Sequence, residues 1–346
     1  MKRSRLSLYG AMFGRLNEDM SKEDAVKAIK TGIVDPIENE SGKAKLEKVV
    51  TFLNSAEGKD ATVRQLLAQG SADGAPTDES VNVVEGADID PATHARPTQS
   101  QIGLPNSIGF CFTPKGIEKK ALQAALAGTV IAPDILMAGN GQDGKTFIID
   151  GHHRWSSSIV ANPDVKIQVS LIQQDDPYKA LAISQVVIAQ NLGPGTPLPS
   201  STSEPDTNLL TMDANAIKQY CIDNVGKVVD PKAGSPFLTD DVLNFLAVNG
   251  YGGSKASDSR DVKLDKIATQ IGLNCKRVPG PGDAPPRAIM PQFDTKVGGP
   301  APSTAIPMFK SGQVNFKDPV VPESHRRSQD EVIMERWQKL AGIIKG

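Results

Sequence analysis

Lys145-Thr146-Phe147-Ile148-Ile149-Asp150-Gly151-His152-His153-Arg154-Trp155 runs from an apolar, β-branched stretch through a glycine into a segment with helical spacing. Residues 145–149 read as a buried strand and residues 152–161 as a helix, so Asp150 and Gly151 mark a strand-to-helix turn. At such a turn the unpaired N–H groups and positive end of the new helix face one point, which attracts anions. Gly151 lets backbone approach a ligand closely, Arg154 offers a two-pronged guanidinium contact to phosphate oxygens, and His152 and His153 can donate hydrogen bonds or move a proton. Plainer roles compete at each position. Asp150 serves equally as a helix cap or as a ligand or metal carboxylate. Arg154 has a structural alternative as ion-pair partner of Asp134 or Glu118, and Trp155 reads as core before it reads as a stacking platform.

Outward from the turn, strand and helix patterns alternate. Residues 117–127 read as a helix, 129–137 as a strand interrupted by Pro133, and Asn140-Gly141-Gln142-Asp143-Gly144 as a hairpin-type turn. Residues 166–172 read as a third strand with Ile167, Val169 and Leu171 on one face, and 177–191 as a helix opened by Asp175-Asp176. The expected core is Ile148, Ile149, Ile159, Val169, Leu171, Leu181 and Ile188, and the fold class is α+β over residues 96–192.

The flanks have other compositions. Residues 1–70 read as short helices at 21–31, 43–55 and 61–69, the second with Leu46, Val49, Val50 and Leu53 on one face. Residues 71–95 carry Asp73, Asp78, Glu79, Glu85, Asp88 and Asp90 with no Lys or Arg, the pattern of a solvated linker. Residues 193–275 read as a small helical region, with helices at 214–224, 239–248 and 262–271. Residues 276–325 form a Pro/Gly-rich stretch expected as an extended arm, whose residues 277–322 at about 3.3 Å each reach up to about 150 Å. Residues 326–346 end the chain as an amphipathic helix. It is opened by the capping box Ser328-Gln329-Asp330-Glu331 and striped by Ile333, Trp337, Leu340 and Ile344, which are expected to dock on another protein chain or a second copy.

Composition narrows the function classes. The chain has 346 residues, 39% hydrophobic, and a formal charge of −2, so any contact with nucleic acid is local and not made by bulk charge. The basic start, Lys2, Arg3 and Arg5, reads as a solvated terminus. Cys111, Cys221 and Cys275 lie far apart, which fits buried thiols in a reducing compartment and neither a disulfide framework nor a zinc site. No apolar run has the length of a membrane span, so no membrane partner is expected. These features fit an intracellular protein.

At Ile148-Ile149-Asp150-Gly151-His152-His153-Arg154-Trp155 the sequence resembles the ParB/sulfiredoxin-like superfamily, most closely its branch with an Asp-Gly-His-His-Arg motif at the strand-to-helix turn. Arg96-Pro97-Thr98-Gln99 followed by Ile102-Gly103 resembles the segment that opens the domain in ParB-like nucleases. The resemblance implies a mixed sheet with flanking helices, extended here by helical N- and C-terminal regions. It also implies a phosphate- or nucleotide-binding turn. Members of the superfamily are CTP-binding partition proteins, nucleases, free-serine kinases and sulfinic-acid reductases, and fold alone does not choose among them. The turn has no cysteine for the sulfiredoxin reaction, no helix-turn-helix follows the domain, and the kinase glutamate has only Glu118 as a nearby candidate. The expectation is a phosphate- or nucleotide-binding protein with phosphoryl-transfer or nuclease activity. Gly151, His152, His153 and Arg154 would hold the phosphate, Asp150, His152 and His153 are the catalytic candidates, and a nucleotide and Mg²⁺ are the candidate cofactors. The alternative is a non-enzymatic bacteriophage virion or assembly protein, which uses the domain and its arms to dock on neighbouring subunits. The location that the resemblance implies is the cytoplasm of a bacterium or of an infected host cell, or the virion if the chain is an assembly protein.

Overall fold

Ile167, Val169 and Leu171 alternate with Gln168 and Ser170, whereas Ile148 and Ile149 are consecutive and both apolar. The first pattern needs one buried face and the second needs two, so the sheet must be covered on both sides. The computed structural model, which describes residues 20–69, 83–118, 120–141, 146–200, 205, 207–293, 295 and 298–310, has that arrangement.

In chain order the elements begin with α1 (Lys22–Ile29), a π-turn over Lys30–Val34, α2 (Asp35–Asn39), α3 (Gly42–Asn54) and α4 (Ala61–Gln69). Then come strands β1 (Val83–Ile89) and β2 (Ala95–Pro97), and three short helices, α5 (Leu104–Gly109), α6 (Pro114–Glu118) and α7 (Ala121–Leu126). The middle of the chain supplies β3 (Leu136–Gly139), β4 (Thr146–Asp150), α8 (His152–Ala161), β5 (Ile167–Ile172) and α9 (Pro177–Gln190). Last are α10 (Ala214–Asp223), α11 (Asp240–Val248), α12 (Arg260–Cys275) and α13 (Pro302–Lys310). The five strands form one mixed sheet in the order β1-β5-β3-β4-β2. β1 is antiparallel to β5 and β3 to β4, while β2 runs parallel to β4 and β3 parallel to β5.

Two buried clusters lie on the two faces. Met137, Ile148, Ile167, Val169 and Leu171 face one cluster, joined by Trp155 and Ile159 of α8, Ile108 of α5, Ile217 of α10, Leu243 of α11 and Ile271 of α12. Leu136, Ala138, Ile149 and Ile172 face the other, with Ile29, Leu46, Val49, Leu53, Leu67, Leu181 and Ile188 from α1, α3, α4 and α9. All seven residues expected in the core are buried. So are Leu46, Val49, Val50 and Leu53, and the three free cysteines. The protein is therefore a mixed α+β fold with a five-stranded sheet between helical layers.

Several elements depart from the sequence reading for identifiable reasons. Residues 83–89, read as part of a solvated linker, form edge strand β1, whose middle is exposed. Acidic residues suit an edge because they discourage further strand pairing. The helix read over 117–127 is two helices, because Lys120 adopts a left-handed conformation (φ 58°) between α6 and α7. The strand read over 129–137 is mostly irregular: Pro133 lacks a donor, Asp134 has φ 57°, and regular pairing begins only at Leu136. The first helix does not stop at Gly32 but passes through the π-turn into α2.

The Pro/Gly-rich stretch is not wholly extended. Met290, Phe293, Ala305 and Phe309 are buried in the cluster on the α9 side of the sheet, so this part of the stretch packs on the fold. Arg64 of α4 locks this layer from within. Its guanidinium donates to the carbonyls of Leu53 (3.0 Å), Ala189 (3.0 Å) and Thr196 (3.1 Å), and burial lowers its pKa to about 10. The docking stripe Ile333, Trp337, Leu340 and Ile344, and the basic start, lie outside the described residues. No helix among the described residues is long and apolar enough to cross a membrane.

Candidate active site

β4 ends at Asp150 and α8 begins at His152, so the chain must reverse within Gly151. Gly151 does this at φ 93°, and a Cβ there would sit 3.1 Å from Ile135 Cγ1 and 3.1 Å from Arg154 Nη2. Glycine is required both by backbone conformation and by space. No side chain caps the helix, and its first backbone bond is from Trp155 N–H to the Gly151 carbonyl at 2.9 Å. The first-turn N–H groups therefore have no side-chain acceptor, the condition under which a helix start attracts an anion.

The motif residues differ in how far their polar atoms are satisfied. His152 turns inward, where the Thr98 N–H donates to its Nε2 at 3.3 Å, with the Thr98 hydroxyl also 3.3 Å away and donating to the Ile148 carbonyl. Burial, then the charges of His153, Arg287 and Arg154, hold its pKa down to about 3, so the ring is neutral and its Nε2 edge is committed to the segment after β2. Trp155 is fully buried and donates from Nε1 to the Pro91 carbonyl at 2.8 Å, so its ring is core. Asp150 does not cap the helix. Its Oδ2 accepts from Arg154 Nη2 at 2.8 Å, so the ion-pair partner of Arg154 is Asp150 rather than Asp134 or Glu118. Burial pushes the Asp150 carboxyl above the usual range, against the pull of Arg154.

All five motif residues, Asp150 to Arg154, line a cavity of about 330 Å³ at the start of α8. His153 Nε2 is buried there without a hydrogen-bond partner. Its pKa is lowered to about 4 by burial first, then by the nearby charges of Arg287, Lys232 and Arg154, so three cations bear on one neutral imidazole. Arg154 Nε and Arg287 Nε are likewise buried without partners. Burial alone lowers the Arg287 pKa. Opposite them Asp230, 1% exposed, accepts at Oδ1 from Asn106 Nδ2 (3.1 Å) and from the Lys232 backbone N–H (2.9 Å). Its Oδ2 has no partner. The loop carrying Asp230 seats closely because Gly109 has no side chain: a Cβ there would lie 2.9 Å from Asp230 Cβ.

Asn106, Asp230, Lys232 and Arg287 were not legible as site residues. Asp230-Pro231-Lys232 reads as a turn between helices, and Arg287 stands in the Pro/Gly-rich stretch, both far in sequence from the motif they reach. Among the described residues, no group of three or more His, Cys, Asp or Glu side chains is placed to hold a metal ion.

No protein family, curated protein or solved structure matches the chain. What the cavity can hold follows from its own donors and acceptors.

Proposed function

We propose that the cavity at the Gly151 turn binds the phosphate of a nucleotide or phosphate ester, in a protein of ParB/sulfiredoxin-like kind that transfers or cleaves the phosphoryl group. The observation that carries this is that three residues lining one cavity beside an uncapped helix start, His153, Arg154 and Arg287, each have a buried nitrogen without a partner. A buried donor left unpaired costs about 1–3 kcal/mol, and a hydrogen bond to a charged group returns about 1.5–3 kcal/mol. An anion that satisfies these nitrogens removes the first cost and adds the second gain. A phosphate group has enough oxygens to meet the three nitrogens and the first-turn N–H groups together.

The roles follow from the placement. Gly151 admits the anion to the helix start, Arg154 is held in position by Asp150, and Arg287 adds a second guanidinium to the lining from a distant segment. His153 enters neutral, so near neutral pH it can donate one hydrogen bond or accept one proton beside the phosphate. His152 supports the site by fixing the start of α8 against Thr98.

A thermal-shift and turnover panel tests this, with inorganic phosphate, nucleoside mono-, di- and triphosphates and simple phosphate esters, each with and without Mg²⁺. Stabilisation by at least one phosphate compound, weakened in Arg287→Ala and His153→Ala, is expected. A folded protein whose melting temperature no phosphate compound raises would remove the proposal.

A further inference from the structure

Two acids line the cavity, both with the wrong sign for a phosphate: Asp150 is paired with Arg154, whereas Asp230 keeps an unpartnered oxygen. Asp230 stands outside the strand-helix motif, on the loop between α10 and α11, and is 1% exposed. Its Oδ1 is satisfied twice, by Asn106 Nδ2 and the Lys232 N–H, so the carboxylate is fixed in rotation. That leaves Oδ2 buried and unpartnered on a residue that lines the same cavity. A buried carboxylate oxygen is as costly to leave unpaired as a buried donor, and it demands a donor. The fully ionised phosphate of an ester has no donor to offer and would repel it. A divalent cation is a poor answer, since Arg154, Lys232 and Arg287 already bring positive charge to this cavity.

We infer that the ligand is a hydroxylated phosphate ester, and that Asp230 Oδ2 accepts a hydrogen bond from a ligand hydroxyl while His153, Arg154 and Arg287 hold its phosphate. The inference rests on the phosphate reading and adds the chemistry of the rest of the ligand. Recognition is by pairing: an analogue without the hydroxyl leaves Oδ2 buried and unsatisfied and is rejected for that reason. Asp230 is a specificity-determining residue on this account, and its two internal hydrogen bonds are what aim it.

Calorimetric titration of the full chain with inorganic phosphate, glycerol 3-phosphate and propyl phosphate separates the two claims, because the last two share a three-carbon skeleton and differ in the hydroxyls. Glycerol 3-phosphate is expected to bind at least about tenfold more tightly than propyl phosphate, the worth of a hydrogen bond to a charged group. Asp230→Asn preserves the acceptor for Asn106 and Lys232 but puts an NH₂ where Oδ2 stands. It is expected to erase that preference while leaving affinity for inorganic phosphate undiminished. Phosphate binding with no preference for the hydroxylated ester, or a preference that survives in Asp230→Asn, overturns the inference and leaves the phosphate site standing. No binding of any of the three compounds overturns both. Circular dichroism of Asp230→Asn, with Asp230→Ser as a second variant that keeps a small acceptor, shows whether a change in affinity comes from loss of fold.

Discussion

Acid should weaken this fold through two buried histidines. His152 and His153 are held neutral by burial, with pKa values lowered from 6.5 to about 3 and about 4. In the unfolded chain each binds a proton near pH 6.5, so between that point and the folded value the unfolded state holds more protons, and stability falls as pH falls. The stability they contribute is fully present above about pH 6.5 and is lost progressively toward pH 4 and 3. Between about pH 7.5 and about pH 5 the loss is about 2 kcal/mol for each ring, or about 4 kcal/mol for both. That figure depends only on the folded values lying well below 5, not on their exact position. Urea denaturation at the two pH values gives the quantity directly, and the double variant His152→Gln, His153→Gln should lose about 4 kcal/mol less than the parent over the same interval. The variant starts less stable, because the bond from Thr98 is gone, but the comparison is of slopes. Equal losses in parent and variant would show that the two rings are not buried neutral, and would undo the electrostatic picture of the cavity.

Other substitutions separate fold from site. Trp155→Ala removes a fully buried ring and leaves the Pro91 carbonyl without its donor, and should cost roughly 3–5 kcal/mol in urea unfolding with little specific effect on ligand binding. Gly151→Ala forces a Cβ into a φ of 93° and to 3.1 Å from Arg154 Nη2, so it should destabilise by roughly 1–2 kcal/mol and weaken phosphate binding as Arg154 shifts. Arg64→Met withdraws donors from three carbonyls and should cost at least about 2 kcal/mol, read from the same unfolding curves. Truncation after Pro322 removes the stripe Ile333, Trp337, Leu340 and Ile344; light scattering should show loss of assembly with the melting temperature unchanged, and an unaltered oligomer would dismiss the docking role.

The sequence exposed what depends on neighbours along the chain. The caps are local: Ser21 accepts from Asp24 N–H, and Asp176 accepts from the N–H groups of Tyr178 and Lys179 at the start of α9. The strand-to-helix turn at Gly151 was equally legible, because its apolar run, glycine and basic residues are contiguous. Composition misled where position in the sheet decides. β1 is acidic and half exposed because it is an edge, and an edge strand lacks the apolar alternation that identifies a covered one. Within the motif, spacing could not separate His152 from His153. Adjacent residues on a helix point about 100° apart, so one ring is bonded to Thr98 and the other is left with an unpartnered Nε2, although both line the cavity. The rest of the cavity comes from tertiary closure: Asp230 and Lys232 arrive with the loop between α10 and α11, and Arg287 with the stretch before α13.

The most direct measurement is calorimetric titration of inorganic phosphate into the parent protein and into Arg287→Ala, a residue from outside the motif whose place beside His153 only the fold supplies. If the cavity is an anion site, phosphate binds the parent, and the variant, still folded by circular dichroism, binds at least about tenfold more weakly, the worth of one charge-assisted hydrogen bond. Equal affinity in the two proteins, or no binding to the folded parent, would contradict it.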